Sequence, residues 1–181
     1  MENFIPGKMD QLGIGYDIAK SLNPRIIYAS ISGFGSTGPM AKDAGYDVIA
    51  AAQAGLMHIT GEPDGAPMKT GVALCDLTTG LYTAGGVMAA LHARNVTGEG
   101  QKVEASLFES TLSVLANMAS SYLNSGEPGQ RFGTQHAAIV PYQAFMTADS
   151  YMIIGTTNNR QQARPFSLFH LALTHLASLS A

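Results

Sequence analysis

The stretch Gly71–Ser106 constrains the fold of this chain more than any other, because one carboxylate, Asp76, interrupts a run of small and apolar residues. Val72–Leu74 is short and apolar, which is typical of the end of a buried strand. Thr78–Gly80 then leads into a second apolar run, Leu81–Leu91, which is long enough for a buried helix. The pattern predicts a carboxylate at the turn between a buried strand and a buried helix.

Asp76 has two interpretations at this position. A side-chain oxygen at the start of a helix can accept a hydrogen bond from a free backbone N–H group, so Asp76 can be the N-cap. A helix N-terminus also favours negative charge, so Asp76 can be a carboxylate nucleophile that stays ionised there. The local pattern is compatible with both roles. The neighbouring Cys75 has no basic residue beside it, which predicts a buried, unreactive thiol.

Glycines and threonines at fixed distances from Asp76 form a longer pattern. The chain has Gly71, Asp76 and Thr79-Gly80 before the expected helix, and Thr97-Gly98-Glu99-Gly100-Gln101 after it. This pattern resembles the class III CoA-transferases (the CaiB/BaiF family), which carry G-x-x-x-x-D-x-x-T/S-G, a helix and then T-G-x-G-Q. The resemblance implies that Asp76 is the catalytic nucleophile. It also implies an acyl-coenzyme A (CoA) thioester and a carboxylic acid as substrates, with no permanently bound cofactor.

Two further segments resemble those that line the CoA site in that family. The segment at residues 2–4 implies CoA-binding roles for Asn3 and Phe4, and the segment at residues 45–47 implies them for Gly45, Tyr46 and Asp47. An amide and a phenol can hydrogen-bond the pantetheine amides, and a phenyl ring can pack on adenine. A purely structural alternative stays open, in which Asn3 holds a turn and Tyr46 lies on a buried helix face.

A third segment resembles the members of the family that act on glutarate. Gly133-Thr134-Gln135-His136 precedes Pro141-Tyr142-Gln143-Ala144-Phe145. The resemblance implies that Gly133 and His136 belong to the pocket for the acyl group or the acid, with succinyl-CoA and a C5 dicarboxylate as substrates. A histidine that orders a surface loop is the alternative. The five histidines have no ligand spacing, so we expect no metal site.

Two other functions compete with CoA transfer. Gly33-x-Gly35-x-x-Gly38 follows a predicted strand and matches the dinucleotide-binding fingerprint, which favours an NAD(P)-type binding domain. However, Pro39 and the polar residues as far as Asp43 delay the next helix, whereas the fingerprint requires a helix directly behind the loop. The remaining alternative is a non-catalytic fragment.

The resemblance implies an α/β fold, part of a large Rossmann-like domain with mostly parallel strands, incomplete at both ends. We expect this domain fragment over residues 1–160 and a divergent apolar tail over 161–181. Gln11 and Ala44 stand where some family members carry basic CoA contacts. Subunits of full-length members interlock as a homodimer. Breakers and periodicity predict further elements. The predicted helices are Tyr16–Leu22, Tyr46–Ala54 and one from a Ser106 capping box to Gly126. The predicted strands are Arg25–Ser32 and Lys102–Ala105, with a strand at Leu56–Thr60 as an alternative, and Tyr142–Thr147 and Tyr151–Thr156 form a predicted hairpin.

The composition of the chain indicates how large its core can be and which partners and compartments suit it. Apolar residues make up 46% of 181 residues, which allows one sizeable core, whereas charged residues make up 13%, about half the usual share. We therefore expect part of the surface to be covered by another chain or by further sequence. A net charge of −3 does not indicate the basic surface that binds nucleic acid. No apolar run is long enough to predict a membrane span. The N-terminal residues are unlike a signal peptide, and a single cysteine favours a reducing compartment, the cytoplasm or the mitochondrial matrix.

Overall fold

The computed structural model describes residues 1–158 and 161. It divides the chain into two compact units. The first consists of Met1–Gly61 and Ala66–Gln130, and the second of Glu62–Gly65 and the described residues from Arg131 onward. The predicted division at residue 161 stays a prediction, because nearly all of the tail lies outside the described residues.

The first unit combines helices with a short parallel sheet. In chain order its elements are α1 (Lys8–Gln11), α2 (Tyr16–Leu22), β1 (Tyr28–Ser32), α3 (Asp47–Gln53), α4 (Leu74–Thr97), β2 (Lys102–Ser106), α5 (Leu107–Val114) and α6 (Ala116–Ser125).

Strand β1 pairs in parallel with β2, in a register that runs from Tyr28 opposite Lys102 to Ser32 opposite Ser106. Glu2 adds a parallel bridge to β1 on its other side, opposite Ser30. Strand β1 begins three residues later than predicted, because the partner strand begins only at Lys102. The two strands are joined by a connection that contains α3 and α4, as a parallel pair requires.

Helix α4 is longer than predicted and begins earlier. It starts at Leu74 and ends at Thr97, where Gly98 takes a left-handed conformation with φ +79° and its N–H bonds the Arg94 carbonyl. The predicted strand Val72–Leu74 is wrong, because Val72 is 60% exposed and the chain enters the helix two residues later. One face of α4 is buried, whereas the opposite face exposes a row of apolar side chains: Leu77, Leu81 and Met88.

The buried core of the first unit lies where α3, α4 and α5 meet. Its buried members are Ala50, Ala51, Leu56, Cys75 and Leu107. The strand predicted as an alternative at Leu56–Thr60 is wrong, because α3 ends at Gln53, Gly55 takes a left-handed φ of +87°, and residues 54–59 form turns. The Met57 N–H bonds the Ala51 carbonyl, and the Ile59 N–H bonds the Gly55 carbonyl.

The predicted helix after Ser106 forms but is broken in the middle. Ser106 caps α5 by accepting a hydrogen bond from the Glu109 N–H at 3.2 Å, which confirms the predicted cap. Ala116 then takes an unusual φ of +45°, and α6 begins there as a separate helix. As predicted, Gly126 ends the second helix in a left-handed conformation.

The second unit contains the predicted hairpin. Strand β3 (Tyr142–Met146) pairs antiparallel with β4 (Tyr151–Gly155), and the Thr147 N–H bonds the Ser150 carbonyl to close the turn. The described residues therefore form an α/β structure with one parallel and one antiparallel pair, and the expected parallel majority is not confirmed. Within the described residues, no helix combines the length and apolar character needed to cross a bilayer.

Candidate active site

A cleft of about 470 Å³ in the first unit brings together four of the five predicted CoA-binding residues and the predicted nucleophile. Its polar lining comes from Asn3 near the N-terminus, Asp47 at the start of α3 and Asp76 at the start of α4. The end of β1 and Leu107 at the start of α5 complete the wall. The volume falls in the range of small-molecule sites.

Asp76 is the third residue of α4 and not its N-cap. The cap position is Ala73, which has no side chain able to accept a hydrogen bond. The N-cap interpretation of Asp76 is therefore wrong. Its carboxylate is exposed at the cleft.

The capping oxygen comes instead from Asp47, 29 residues before Asp76. Its Oδ2 accepts hydrogen bonds from the Cys75 N–H at 2.8 Å and from the Asp76 N–H at 3.2 Å. Two of the N–H groups that a helix start leaves free are satisfied in this way. Asp47 is half-buried, so it reaches the start of α4 from within the wall of the cleft.

The electrostatic environment of Asp76 differs from the expected one. Partial burial among protein atoms raises the pKa of the Asp76 carboxyl, and the like charge of Asp47 raises it further. A helix N-terminus favours an anion through its free N–H groups. Here two of those groups, the Cys75 and Asp76 N–H groups, already bind Asp47, which leaves fewer of them to favour the anion. That Asp76 stays ionised stays a prediction. Burial and a like charge instead make this carboxylate more basic.

Gly33 and Gly45 approach each other backbone to backbone in the wall of the cleft. A Cβ atom at Gly33 would lie 2.5 Å from the Gly45 Cα, and one at Gly45 would lie 2.2 Å from the Gly33 Cα. These distances leave no room for any side chain. The Gly45 of the predicted CoA segment therefore has a structural reason to be glycine, whether or not it contacts a ligand.

The same geometry weakens the dinucleotide hypothesis. A dinucleotide-binding loop places its phosphates on the N-terminus of the helix that follows directly. After Gly38 the first helix is α3, which begins only at Asp47. The close packing of Gly33 on Gly45 accounts for the first glycine of the pattern without a phosphate.

The aromatic residues predicted for CoA are accessible. Tyr46 precedes α3 and is 69% exposed, so the interpretation of Tyr46 as buried helix-face core is wrong. Phe4 is 51% exposed but does not line the cleft. Its N–H bonds the Glu2 carboxylate at 2.8 Å, and that carboxylate also accepts a hydrogen bond from the Ser30 hydroxyl. The segment at residues 2–4 is thereby fixed along β1.

Cys75, beside the candidate nucleophile, is buried with 1% exposure. Burial is the main cause that raises the pKa of its thiol. A protonated, inaccessible thiol is a poor nucleophile. This agrees with the unreactive cysteine predicted from the sequence.

Gly133 and His136 belong to the second unit. Gly133 has φ +57°, and a Cβ there would lie 2.9 Å from a Glu62 carboxylate oxygen. The His136 Nδ1 accepts hydrogen bonds from the Ala138 N–H at 3.0 Å and the Ile139 N–H at 3.1 Å. This acceptor role leaves the proton of the neutral ring on Nε2. His136 therefore orders its own loop, and its ring also lies edge-on to Tyr142 at 5.4 Å between ring centroids.

The described residues contain no group of three or more His, Cys, Asp or Glu side chains arranged to hold a metal ion.

The local sequence does not indicate that Asp47 accepts the N–H groups at the start of α4, because its partners lie 28 and 29 residues further along the chain.

Comparison with known proteins identifies the family. The family model described as CoA-transferase family III matches residues 1–178. The chain therefore belongs to CoA-transferase family III.

Individual relatives agree with the family. An acyl-CoA transferase of Fusarium pseudograminearum is 51% identical over 98% of this chain and 39% of its own length. The succinyl-CoA:glutarate CoA-transferase of Mus musculus is 48% identical over 90% of this chain and 37% of its own length. A crystal structure of a CaiB/BaiF family protein from Brucella suis superposes with a TM-score of 0.83 at 44% identity, over 92% of this chain and 44% of that one. The chain thus spans about two fifths of the length of these relatives.

Proposed function

We propose that this chain carries the nucleophile and part of the CoA site of a class III CoA-transferase, which moves CoA from an acyl-CoA to a carboxylic acid. The observation that carries the proposal is the cleft in which Asp76 lies beside Asn3, Gly45 and Tyr46. These are the residues that the resemblance assigns to nucleophile and CoA, and they come from three separate segments of the chain. The family match and the named relatives support the same reaction class.

In the first half of the proposed reaction, a carboxylate oxygen of Asp76 attacks the thioester carbonyl of the acyl-CoA. The C–S bond breaks, CoA leaves as the thiolate, and a mixed anhydride joins the acyl group to Asp76. The thiolate then attacks the Asp76 carbonyl of the anhydride. This releases the donor acid as its carboxylate and leaves an aspartyl-CoA thioester.

In the second half, the acceptor carboxylate attacks the aspartyl thioester and regenerates a thiolate and a new anhydride. The thiolate attacks the acceptor acyl carbon of that anhydride, which yields the new acyl-CoA and free Asp76. Each step exchanges one acyl bond for another, so the reaction requires neither ATP nor a metal. Water must be excluded during the anhydride stages, because it would hydrolyse them.

The surroundings of Asp76 suit this role. Its raised pKa makes the carboxylate a stronger base than an ordinary aspartate, and a stronger base is the better nucleophile. The Tyr46 phenol and the Asn3 amide offer hydrogen bonds to the thioester arm of CoA. Because Asp47 already binds two N–H groups of α4, we assign the oxyanion contacts to the backbone of the glycine-rich segment around Gly33.

We propose succinyl-CoA and a dicarboxylate such as glutarate as the substrates. The name of the mouse relative supports this pair at 48% identity. The resemblance of the segment around Gly133 and His136 to glutarate-type members supports it as well. In this proposal the Nε2–H of His136 binds a carboxylate of the acid.

The low charge and the exposed apolar row on α4 support a larger assembly. Leu77, Leu81 and Met88 are 57%, 73% and 65% exposed, and such a surface is normally covered. We propose that further polypeptide of the Rossmann-like large domain, and the second subunit of an interlocked homodimer, cover it in the full-length family. The free Cys75 supports a reducing compartment, the cytoplasm or the mitochondrial matrix.

The test is the formation of glutaryl-CoA from succinyl-CoA and glutarate by the purified chain and by Asp76→Asn. We expect glutarate-dependent turnover that Asp76→Asn abolishes. Equal turnover by both proteins would remove Asp76 from the mechanism. Absence of turnover from both would show that the reaction needs further polypeptide of the family. A parallel titration with CoA and with NADH separates CoA transfer from the dinucleotide hypothesis, since we expect binding of CoA alone.

A further inference from the structure

The start of α4 is fixed by the side chain of Asp47, which takes no part in the proposed covalent steps. The Asp47 carboxylate accepts the backbone N–H groups of Cys75 at 2.8 Å and of Asp76 at 3.2 Å. The cap position, Ala73, supplies no side-chain acceptor. The backbone of the candidate nucleophile is therefore fixed by a residue of another helix.

The position of Asp47 explains how one carboxylate can do this. It is the first residue of α3, directly after Tyr46 and the close-packed Gly45. The contact between Gly45 and Gly33 brings the start of α3 against the end of β1. The start of α3 and the start of α4 therefore meet in the wall of the same cleft.

Charge is the second property of this arrangement. Among the residues that line the cleft, the carboxylates are Asp47 and Asp76, and Tyr46 is the remaining titratable group. Cys75, whose thiol is buried, directly precedes Asp76 and donates its backbone N–H to Asp47. Because no described lining residue is basic, nothing in the lining offsets the repulsion between the two carboxylates. This repulsion acts on Asp76 in the direction that makes it more basic.

We propose that Asp47 is a positioning residue for Asp76: its carboxylate fixes the backbone of the nucleophile through two hydrogen bonds and places a second negative charge beside it in the cleft. This inference rests on the proposed function and replaces the expected direct contact between Asp47 and CoA. The two effects are separable, because the hydrogen bonds require only an acceptor oxygen, whereas the repulsion requires the negative charge.

Two variants separate the effects. Asp47→Asn keeps an acceptor oxygen of similar geometry and removes the charge, whereas Asp47→Ala removes both. The first measurement follows the side-chain carboxyl carbon of Asp76 by NMR as a function of pH, with Asp76→Asn to assign the signal. The second follows hydrogen exchange of the Cys75 and Asp76 amides. Neither measurement requires turnover.

We expect Asp47→Asn to move the titration midpoint of Asp76 to lower pH while the two amides stay protected. We expect Asp47→Ala to show the same shift and at least tenfold faster exchange of both amides. If Asp47→Ala does not fold, Asp47→Asn alone still tests the charge. An unchanged midpoint in Asp47→Asn would overturn the electrostatic half of the proposal. Unchanged amide protection in a folded Asp47→Ala would overturn the positioning half.

A binding measurement separates positioning from CoA contact. We expect Asp47→Asn to bind CoA within about twofold of the wild-type affinity, and a loss of tenfold or more would return Asp47 to the CoA site. Failure of the proposed function is recognised separately. If wild-type protein forms no acyl or CoA adduct on Asp76 but the titration shift is present, the nucleophile is wrong and the contact between the two aspartates stands.

Discussion

The contact between Gly33 and Gly45 gives the sharpest prediction about the wall of the cleft. In Gly33→Ala, the new Cβ would lie 2.5 Å from the Gly45 Cα and 2.7 Å from the Gly45 nitrogen. Ordinary contacts begin at 3.4 Å, so the two segments would have to separate by about 0.9 Å. Both groups are backbone, and neither can rotate away as a side chain would. The segment that carries Tyr46 and Asp47 would therefore move.

The loss of unfolding free energy expected for Gly33→Ala follows from general magnitudes. Inserting a methyl group into a packed site destabilises by about 1–3 kcal/mol, and a contact between two backbones belongs near the upper value. Alanine also lowers the conformational entropy of the unfolded chain, which offsets about 0.4–1 kcal/mol of this destabilisation. This gain applies at position 33 because Gly33 does not have a left-handed φ, so its backbone conformation is open to alanine. The net loss of unfolding free energy is about 2 kcal/mol. In urea this lowers the midpoint by about 1 M, since a small protein has a slope of about 1–3 kcal/mol per M.

The assay is urea unfolding followed by far-UV circular dichroism, which suits a chain without tryptophan. Gly85→Ala is the matched control, because Gly85 lies inside α4 and its added Cβ would meet no atom within 4 Å. This control should stabilise by about 0.5–1 kcal/mol through helix propensity. A Gly33→Ala variant as stable as wild type, or as stable as Gly85→Ala, would refute the close approach.

Two further predictions concern helix starts. Ser106→Ala should lower the unfolding free energy by about 1–2 kcal/mol, because Ser106 is 1% exposed, accepts the Glu109 N–H and donates to the Glu109 carboxylate at 2.8 Å. Ser21→Ala, at an exposed hydroxyl, is the control and should change stability by a few tenths of a kcal/mol at most. A Ser106→Ala effect no larger than the control would contradict the cap. Asp76→Asn should stabilise the fold at neutral pH. The raised pKa means that the native state binds this proton more tightly than the unfolded state, so the ionised carboxylate destabilises the native state. The gain should shrink as pH falls through the raised pKa toward about pH 4, the ordinary range of Asp, and urea unfolding at the two pH values measures it. A gain that grows toward low pH would reverse the sign of the shift.

The elements that the sequence predicted well are those with local determinants. The segment that contains β1 is rich in β-branched residues (Ile26, Ile27 and Ile31) and is bounded by Pro24 and Gly33, and the strands β3 and β4 flank a short polar turn. The caps at Ser106 and Gly126 are chemical signals that act within one helical turn. The local pattern and the family resemblance both indicate Asp76, whereas Asn3, Gly45 and Tyr46 follow from the resemblance alone.

The elements that were missed depend on distant partners. Val72–Leu74 is apolar like a strand, but among the described residues no strand pairs with it. The Asp47 carboxylate instead accepts the Cys75 and Asp76 N–H groups at the start of a helix. Local sequence also cannot show that Gly33 and Gly45 touch, since twelve residues separate them. The break of the helix at Ala116, with φ +45°, has no glycine or proline to announce it.

The most direct test of Asp76 as nucleophile is covalent capture. The chain is mixed with succinyl-CoA and treated with hydroxylamine, which converts the aspartyl anhydride or thioester into a stable hydroxamate. Trypsin then releases residues 70–94 as one peptide, because the chain has no lysine or arginine between Thr70 and Arg94. This peptide contains both Cys75 and Asp76, so fragment ions and a Cys75→Ala variant are needed to separate them.

We predict a hydroxamate on Asp76 in the wild type and in Cys75→Ala, and none in Asp76→Asn or without succinyl-CoA. A folded wild-type chain that binds CoA but gives no hydroxamate, or gives a mark on another residue that persists in Asp76→Asn, would contradict the assignment of Asp76 as the nucleophile.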